Sequence, residues 1–447
     1  MTGSPYILKD NSTCPDELAE GDYARLKDFV GKSLKDLCAE NPRLLVFPDC
    51  LNDNEDDIGK SSLFSLNGNR IAAGNTVGFW GVNGVNVRIH SRFDEDYRQF
   101  LFHYMLQRVS GVNVLDLSTL PDADNLWDFL IYLFPMMLKR AMAQGVFRTY
   151  RSFSYDDDRI RGAIAVAPFI RRDVPFRGRV SYITREHTGN NHVLHLVRHT
   201  IERIRQRAPL LLLVDQEMRQ AVASVVSLTP DYSRNALARV LAANLRPVRH
   251  PFYTEYAALQ SLCLRILRHE KMSFGVKDGK ISGVVFDISW VWEEYLAAVF
   301  NSNKATRSIQ HPRNRGKSGA VRLFKYKDSP LYPDFYDRSR KLVLDAKYKR
   351  LETYGVNRED KFQLVTYLHV MKMAHGILLH PSESGQFEFV EEGELAGLGG
   401  EIGRLPFAIP RNVHSTYGEF AQKMLDAEKT FVHQIVGIRM DKPSEGR

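Results

Sequence analysis

Asp334, Asp345 and Lys347 are the residues of this chain whose types and spacing could do chemistry. Asp334 closes Tyr332-Pro333-Asp334, and ten residues beyond it begins Leu344-Asp345-Ala346-Lys347. Side chains on a strand alternate between its faces. A strand over residues 341–349 therefore puts Asp345 and Lys347 on one face, and Leu342, Leu344 and Ala346 on the other, toward a core. Asp334, on the preceding extended segment, can meet Asp345 across a hairpin. Two carboxylates brought together this way make an oxygen-rich cage for a hard divalent cation. A lysine beside them can orient or help deprotonate an attacking water and neutralise charge developing on a phosphate.

The elements that must position these groups are also legible. Residues 286–300 read as a helix, with Ile288, Val291, Tyr295 and Val299 at helical spacing. A glutamate on that helix can lean over the metal and add a ligand. Downstream, residues 360–367 open another helix, on which Gln363 and Tyr367 lie four apart and share a face. The sequence Glu-bearing helix, Pro-Asp, Asp-x-Lys and Gln-x-x-x-Tyr, in that order, resembles the PD-(D/E)xK nuclease superfamily. Helix, strand, strand, helix and strand up to Ile377-Leu378-Leu379-His380-Pro381 fit a restriction-endonuclease-like core, a mixed sheet flanked by helices.

A closer resemblance follows from further segments. Asn75-Thr76-Val77-Gly78-Phe79-Trp80-Gly81 runs into Val85-Asn86-Val87-Arg88-Ile89; Ile160-Arg161-Gly162-Ala163-Ile164 precedes Tyr182 and Asn190-Asn191-His192-Val193-Leu194. With Leu344-Asp345-Ala346-Lys347-Tyr348-Lys349 and the Gln363/Tyr367 pair, they resemble the McrC family, nuclease subunits of McrBC-type modification-dependent restriction systems, over roughly residues 60 to 385. The chain departs from the family's pattern in its acidic first sixty residues, its long tail, and His90-Ser91 where the family tends to have proline-lysine.

The resemblance implies a Mg²⁺-dependent DNA endonuclease subunit, with Mn²⁺ as a substitute. Asp334, Asp345 and the Ala346 carbonyl would hold the metal. Glu293 would complete the acidic set; Glu294 is its rival, and the resemblance alone favours Glu293. Lys347 would position the water, and Gln363 would orient water or phosphate with Tyr367 packing beneath. The implied partners are DNA and an AAA+ GTPase of the McrB type, docked by the N-terminal half. One site cuts one strand, so a double-strand break implies a second copy of the complex. Two rival classes stand beside this reading: a RecB-like repair or recombination nuclease acting on ends or single strands, and a non-catalytic assembly subunit. On the strand reading, Asp345→Asn and Lys347→Ala should each abolish cleavage with little loss of folding.

The chain is long enough for two or three domains. The expected fold class is α/β (α+β overall). The expected division is an acidic extension at 1–60, a β-rich and helical docking region at 61–272, the nuclease domain at 273–385, and a C-terminal extension at 386–447 ending in a helix from Tyr417 to about Val436. The net charge of +8 is uneven. Residues 1–60 carry thirteen acidic and seven basic residues, whereas residues 302–350 carry fourteen basic and four acidic ones. That basic concentration surrounds the proposed metal site and reads as a groove tracking a phosphate backbone.

Residues 16–38 read as one helix, residues 63–93 as a small β module with turns at Asn67-Gly68-Asn69 and Asn83-Gly84, and helices follow over 94–109 and 125–144. Residues 145–187 are β-rich and arginine-laden, open equally to an acidic partner or DNA and to solvated strand faces. A helix from about Asn191 to Arg207 carries His192, His195 and His199, which without a carboxylate read as a polar face. Asn52 to Asp57 lacks the glycine and closing glutamate of a calcium loop. Gly316-Lys317-Ser318 lacks the leading glycine and strand of a phosphate loop, so it reads as a basic loop and nucleotide hydrolysis falls to a partner. No Gly-x-Ser-x-Gly elbow supports a serine nucleophile. Cys14, Cys38, Cys50 and Cys263 have no C-x-x-C spacing, which argues against zinc and disulfides. No apolar run reaches eighteen residues and no signal peptide is evident, so no membrane association and a reducing cytoplasm are expected.

Overall fold

The computed structural model describes residues 4–41, 44–48, 57–95, 98–109, 128–213, 215–268, 280–312, 320–327, 329–385, 387–396, 399–411 and 416–438. Most of the acidic loop (52–56), the Gly316-Lys317-Ser318 loop, the domain start expected near Ser273 and the first two residues of the glycine-rich stretch at 397 lie outside them. The chain forms two compact units. One comprises Met1–Val109, Asn113–Ala123 and Met272–Arg447; the other comprises Ser110–Val112 and Asp124–Lys271.

The first unit begins with strand β1 (Tyr6–Lys9), helices α1 (Asp22–Leu26) and α2 (Leu34–Glu40), and strand β2 (Leu44–Phe47). The single helix expected over 16–38 is thus two short ones. Gly21 and Gly31, both at positive φ (86° and 75°), bound α1 and its following turn, and the Ser33 side chain caps α2. The hairpins β3 (Ser65–Asn67)/β4 (Arg70–Ala72) and β5 (Thr76–Val82)/β6 (Val85–His90) turn at Asn67-Gly68-Asn69 and Asn83-Gly84, as the sequence predicts. Asn83 and Gly84 both take positive φ, as a two-residue hairpin turn of this hand requires. Helix α3 (Phe100–Val109) follows.

The second unit starts with α4 (Asp128–Ala143) and a long antiparallel ladder of β7 (Thr149–Asp157) on β9 (Val180–Thr188). Between them lie β8 (Ala163–Ile164), paired to the other edge of β9, and α5 (Val166–Arg172). Helix α6 (His192–Arg207) is capped by Asn191, whose side chain accepts from the Val193 and Leu194 amides. Helices α7 (Gln216–Leu228), α8 (Leu237–Ala243) and α9 (Glu255–Arg268) complete the unit. His195 and His199 are not on a solvated face: both are buried, and burial pushes their pKa down. His195 Nε2 pairs with Asn190 Oδ1 at 2.6 Å.

The chain re-enters the first unit at β10 (Ser282–Asp287) and α10 (Ile288–Ser302). Strand β10 lies antiparallel to β5 and parallel to β2, closing a five-stranded sheet of order β1-β6-β5-β10-β2. Glycines permit the contact between β5 and β10: a Cβ on Gly78 would sit 2.2 Å from the Val284 carbonyl oxygen. Residues 1–60 are therefore no separate extension, since β1 and β2 are edge strands of a sheet completed near residue 287.

A hairpin, β11 (Val321–Arg322) and β12 (Pro330–Leu331), precedes β13 (Phe335–Asp337) and β14 (Leu342–Ala346). Then come α11 (Leu351–Tyr354), α12 (Arg358–Met371), β15 (His375–Ser382), β16 (Val390–Glu394), β17 (Glu401–Ala408) and α13 (Tyr417–Gly437). The second sheet has the order β13-β14-β15-β17-β16, with β14, β15 and β17 parallel and the two edges antiparallel. It is the mixed α/β core expected, but it does not stop at residue 385. Strands β16 and β17 belong to it, so the segment expected as a C-terminal extension supplies two of its five strands.

Both faces of this sheet are covered. On one, Leu364 and Leu368 of α12 pack on Val343 and Leu378. On the other, Trp292 of α10 meets Phe407 edge-on at 5.7 Å, and Phe300 meets Phe335 at 5.1 Å. Phe431 of α13 packs against Phe407 at 5.0 Å. The two sheets join where their strands end: Ser91 Oγ lies 2.6 Å from the Tyr348 hydroxyl, and Phe93 meets the Tyr348 ring edge-on. The serine that departs from the family's pattern is thus a buried contact.

Candidate active site

The register of β13 on β14 pairs Phe335 with Leu344 and Tyr336 with Val343. Continued one step, it sets Asp334 opposite Asp345, on the face covered by α12. The Ala346 amide donates to Asp334 Oδ2 at 2.7 Å and fixes that carboxylate. Asp345 is fully buried; its Oδ2 lies 2.7 Å from Lys347 Nζ, and its Oδ1 is buried with no hydrogen-bond partner among the described residues. Asp345 and Lys347 do share a face, yet that face is interior.

Lys347 is held from several directions. Its amide donates to the Leu379 carbonyl at 2.8 Å. Its Nζ donates to Gln363 Oε1 at 3.0 Å, Gln363 Nε2 donates to the Tyr367 hydroxyl at 3.3 Å, and that hydroxyl donates to the Tyr332 carbonyl at 3.1 Å. The Gln-x-x-x-Tyr pair therefore links the lysine to the segment carrying Asp334. Asp360, not singled out in the sequence, takes Lys349 through both oxygens at 3.0 Å and stands 4.0 Å from Lys347 Nζ.

Burial dominates the electrostatics. It pushes Asp334 up to about 7, with the Asp345 charge adding to the effect and Lys347 opposing it. Burial raises Asp345 too, against the pull of Lys347. For Lys347 burial disfavours the charge, but Asp345 and Asp334 outweigh it and hold the ammonium above its ordinary range.

An unpartnered, buried carboxylate oxygen beside a second raised carboxylate is what a divalent cation would relieve. The donor set fits a hard ion: Asp334, Asp345 and the Ala346 carbonyl are all oxygen. Among the described residues no three acidic, histidine or cysteine side chains converge on one point. Magnesium suits such a set, because it keeps several waters and takes one or two carboxylates. Glu293 lies outside the pair. Its Oε1 is 3.7 Å from His311 Nδ1, which is itself 2.7 Å from the Asp334 backbone carbonyl oxygen. His311 stacks on Phe335 at 4.8 Å. Sequence reasoning missed this histidine, since it stands alone in a basic stretch with no spacing signal.

The mixed sheet brings Asp334, Asp345 and Lys347 together at a strand hairpin. Residues 71–381, more than half of the chain, match the family model described as the McrBC 5-methylcytosine restriction system component, and the chain belongs to that family. Among solved structures, it is similar to a refined half-complex from the tetradecameric assembly of Thermococcus gammatolerans McrB AAA+ hexamers with bound McrC. The TM-score is 0.50 at 17% identity, over 98% of this chain and 100% of that chain, which shows a shared fold. A chain of the Thermococcus gammatolerans McrBC complex matches with a TM-score of 0.30 at 19% identity, over 67% of this chain and 89% of that one. No curated protein matches the sequence.

Proposed function

We propose that this chain is the DNA-cutting subunit of a McrBC-like restriction system, hydrolysing phosphodiesters with Mg²⁺ when assembled with an AAA+ NTPase. The observation that carries the reading is the unpartnered Oδ1 of Asp345 beside Asp334 and Lys347. Asp334, Asp345 and the Ala346 carbonyl would hold the ion, which when bound supplies Lewis-acid polarisation of the phosphate and a more acidic water. An ammonium has three donors. Two of those on Lys347 go to Asp345 and Gln363, leaving one for the attacking water or a scissile-phosphate oxygen. Gln363, fixed by Tyr367, keeps that third donor aimed. Glu293 is the helix glutamate that adjoins the site, through His311.

The second unit is the docking region of this proposal. It exposes Ile160, Ile164, Val166, Ile170, Val174 and Phe176 among arginines, an apolar and basic surface suited to the AAA+ partner. Among the described residues no helix is long and apolar enough to cross a membrane. Among the described residues Cys14, Cys38 and Cys263 are buried and unbridged; the setting proposed is the cytoplasm.

The test is cleavage of methylated and unmethylated plasmid in Mg²⁺ by wild type and Asp345→Asn, each with and without an AAA+ partner of the McrB type. Cutting that needs both proteins, nucleoside triphosphate and Asp345 is the expected result. Cutting by the chain alone, at ends or single strands, would move it to the repair class. No cutting under any condition would leave the assembly-subunit reading.

A further inference from the structure

The hairpin β11–β12 is built unlike its surroundings. At its base Val321 and Leu331 face each other in register and pack against the core that α12 covers. The Leu323 amide donates to the Ser329 carbonyl at 3.0 Å, holding the arms together above the base. Beyond that point Phe324 is half exposed and Tyr326 is 99% exposed. Arg322, Lys325 and Lys327 are exposed between and beside them. Asp328 is the one acid in the sequence from Ala320 to Leu331. Two exposed aromatic rings offer faces on which bases can stack, and three cations interleaved with them match a phosphate backbone.

Position makes the argument specific. Leu331 is followed by Tyr332, Pro333 and Asp334, so the hairpin ends three residues before a proposed metal ligand. The Tyr332 carbonyl is the last acceptor in the chain Lys347–Gln363–Tyr367–Tyr332. The site's lysine is thus tied through three hydrogen bonds to the root of the hairpin. Tyr326, on the same hairpin, stands eight residues before Asp334 in the chain.

We infer that this hairpin is a DNA clasp: Arg322, Lys325 and Lys327 hold backbone phosphates flanking the scissile one, and Tyr326, seconded by Phe324, stacks on a base of the strand being cut. The inference rests on the nuclease reading and adds the residues that hold the substrate to it. Aromatic stacking tolerates any base, so the clasp contributes affinity and register rather than sequence choice.

The probe is a fluorescein-labelled, methylated 60-base-pair duplex titrated with the full chain and its AAA+ partner, with plasmid cleavage measured in parallel. Tyr326→Ala should weaken binding about 10-fold. Lys325→Ala/Lys327→Ala should reduce the slope of log affinity against log salt by about 2. Both variants should melt with the wild type, because their side chains are exposed. If wild type cuts and binds while these variants match it in affinity, salt slope and rate, the clasp is wrong and the nuclease reading stands. If wild type neither binds nor cuts, the nuclease reading fails and the clasp falls with it. If the variants keep affinity and salt slope but lose mass in light scattering, the hairpin is a protein-contact surface and the clasp is overturned.

Discussion

Lys347→Ala and Asp345→Asn should silence cleavage alike and move stability apart. Lys347→Ala removes the partner 2.7 Å from a carboxylate that is 0% exposed, leaving it beside Asp334, whose own pKa burial already raises. Breaking a buried pair costs about 3–5 kcal/mol, because the remaining charge stays uncompensated. The lysine side chain is 15% exposed, so water reaches its place and the lower end, about 3 kcal/mol, applies. Asp345→Asn instead removes a charge whose Oδ1 has no hydrogen-bond partner. Lys347 then keeps Gln363 at 3.0 Å and has Asp360 at 4.0 Å. Without divalent metal this variant should match wild type or exceed it by up to about 1 kcal/mol.

A difference of about 3 kcal/mol corresponds to roughly 6–12 °C at about 2–4 °C per kcal/mol. Thermal unfolding in EDTA, followed by tryptophan fluorescence, measures it; Trp80, Trp290 and Trp292 all belong to the unit that carries the site. Added Mg²⁺ should then raise the wild-type midpoint and leave Asp345→Asn in place. Were Asp345→Asn to unfold as early as Lys347→Ala, the carboxylate would be a net stabiliser, and the argument that the metal-free site is strained by its own charge would be refuted.

Gln363→Ala cuts the link from Lys347 to Tyr367, so single-turnover cleavage should fall at least about 10-fold with stability within about 1 kcal/mol of wild type. Glu428→Gln should destabilise by about 3 kcal/mol in urea titration, because the carboxylate takes Tyr104, Tyr295 and both ends of the Arg108 fork at 2.8–3.1 Å. At Asp337, burial raises the pKa, but hydrogen bonds from Ser339, Ser308 and the Arg340 amide outweigh it and hold the group below its usual 3.8. Its stabilising contribution is present above pH 3.8 and lost as pH falls through the lower folded value. Asp337→Asn should therefore flatten the acid limb of stability against pH, and an unchanged limb would show that those bonds do not favour the charged form.

What the sequence made legible was local. The two-residue period of residues 341–349 placed Asp345 and Lys347 correctly, and helical spacing placed Gln363 over Tyr367. Turn chemistry at Asn83-Gly84 and the start of the helix near Asn191 worked for the same reason: their physics lies within a few residues. The misses are non-local. Nothing near Tyr6 or Leu44 announces strands that pair with residues 87 and 283. The face carrying Asp345 looked polar because two of its side chains are charged; that α12 covers it depends on Leu364, nineteen residues away. His311 reaches the site through the antiparallel bridge of Gln310 with Tyr336, twenty-six residues away.

The pairing of β2 with β10 has a consequence for how the protein is made. Leu44 finds its partner Gly283 about 240 residues later, which at ribosomal speeds of about 5–20 residues per second is a wait of roughly 12–48 s. During that interval the apolar segment Leu44-Leu45-Val46-Phe47 leaves the exit tunnel with no strand to bond to. An unpaired apolar strand is a template for unwanted association. Slower translation lengthens this exposure, so yield should depend more on chaperone supply and growth temperature than on the stability of the finished fold.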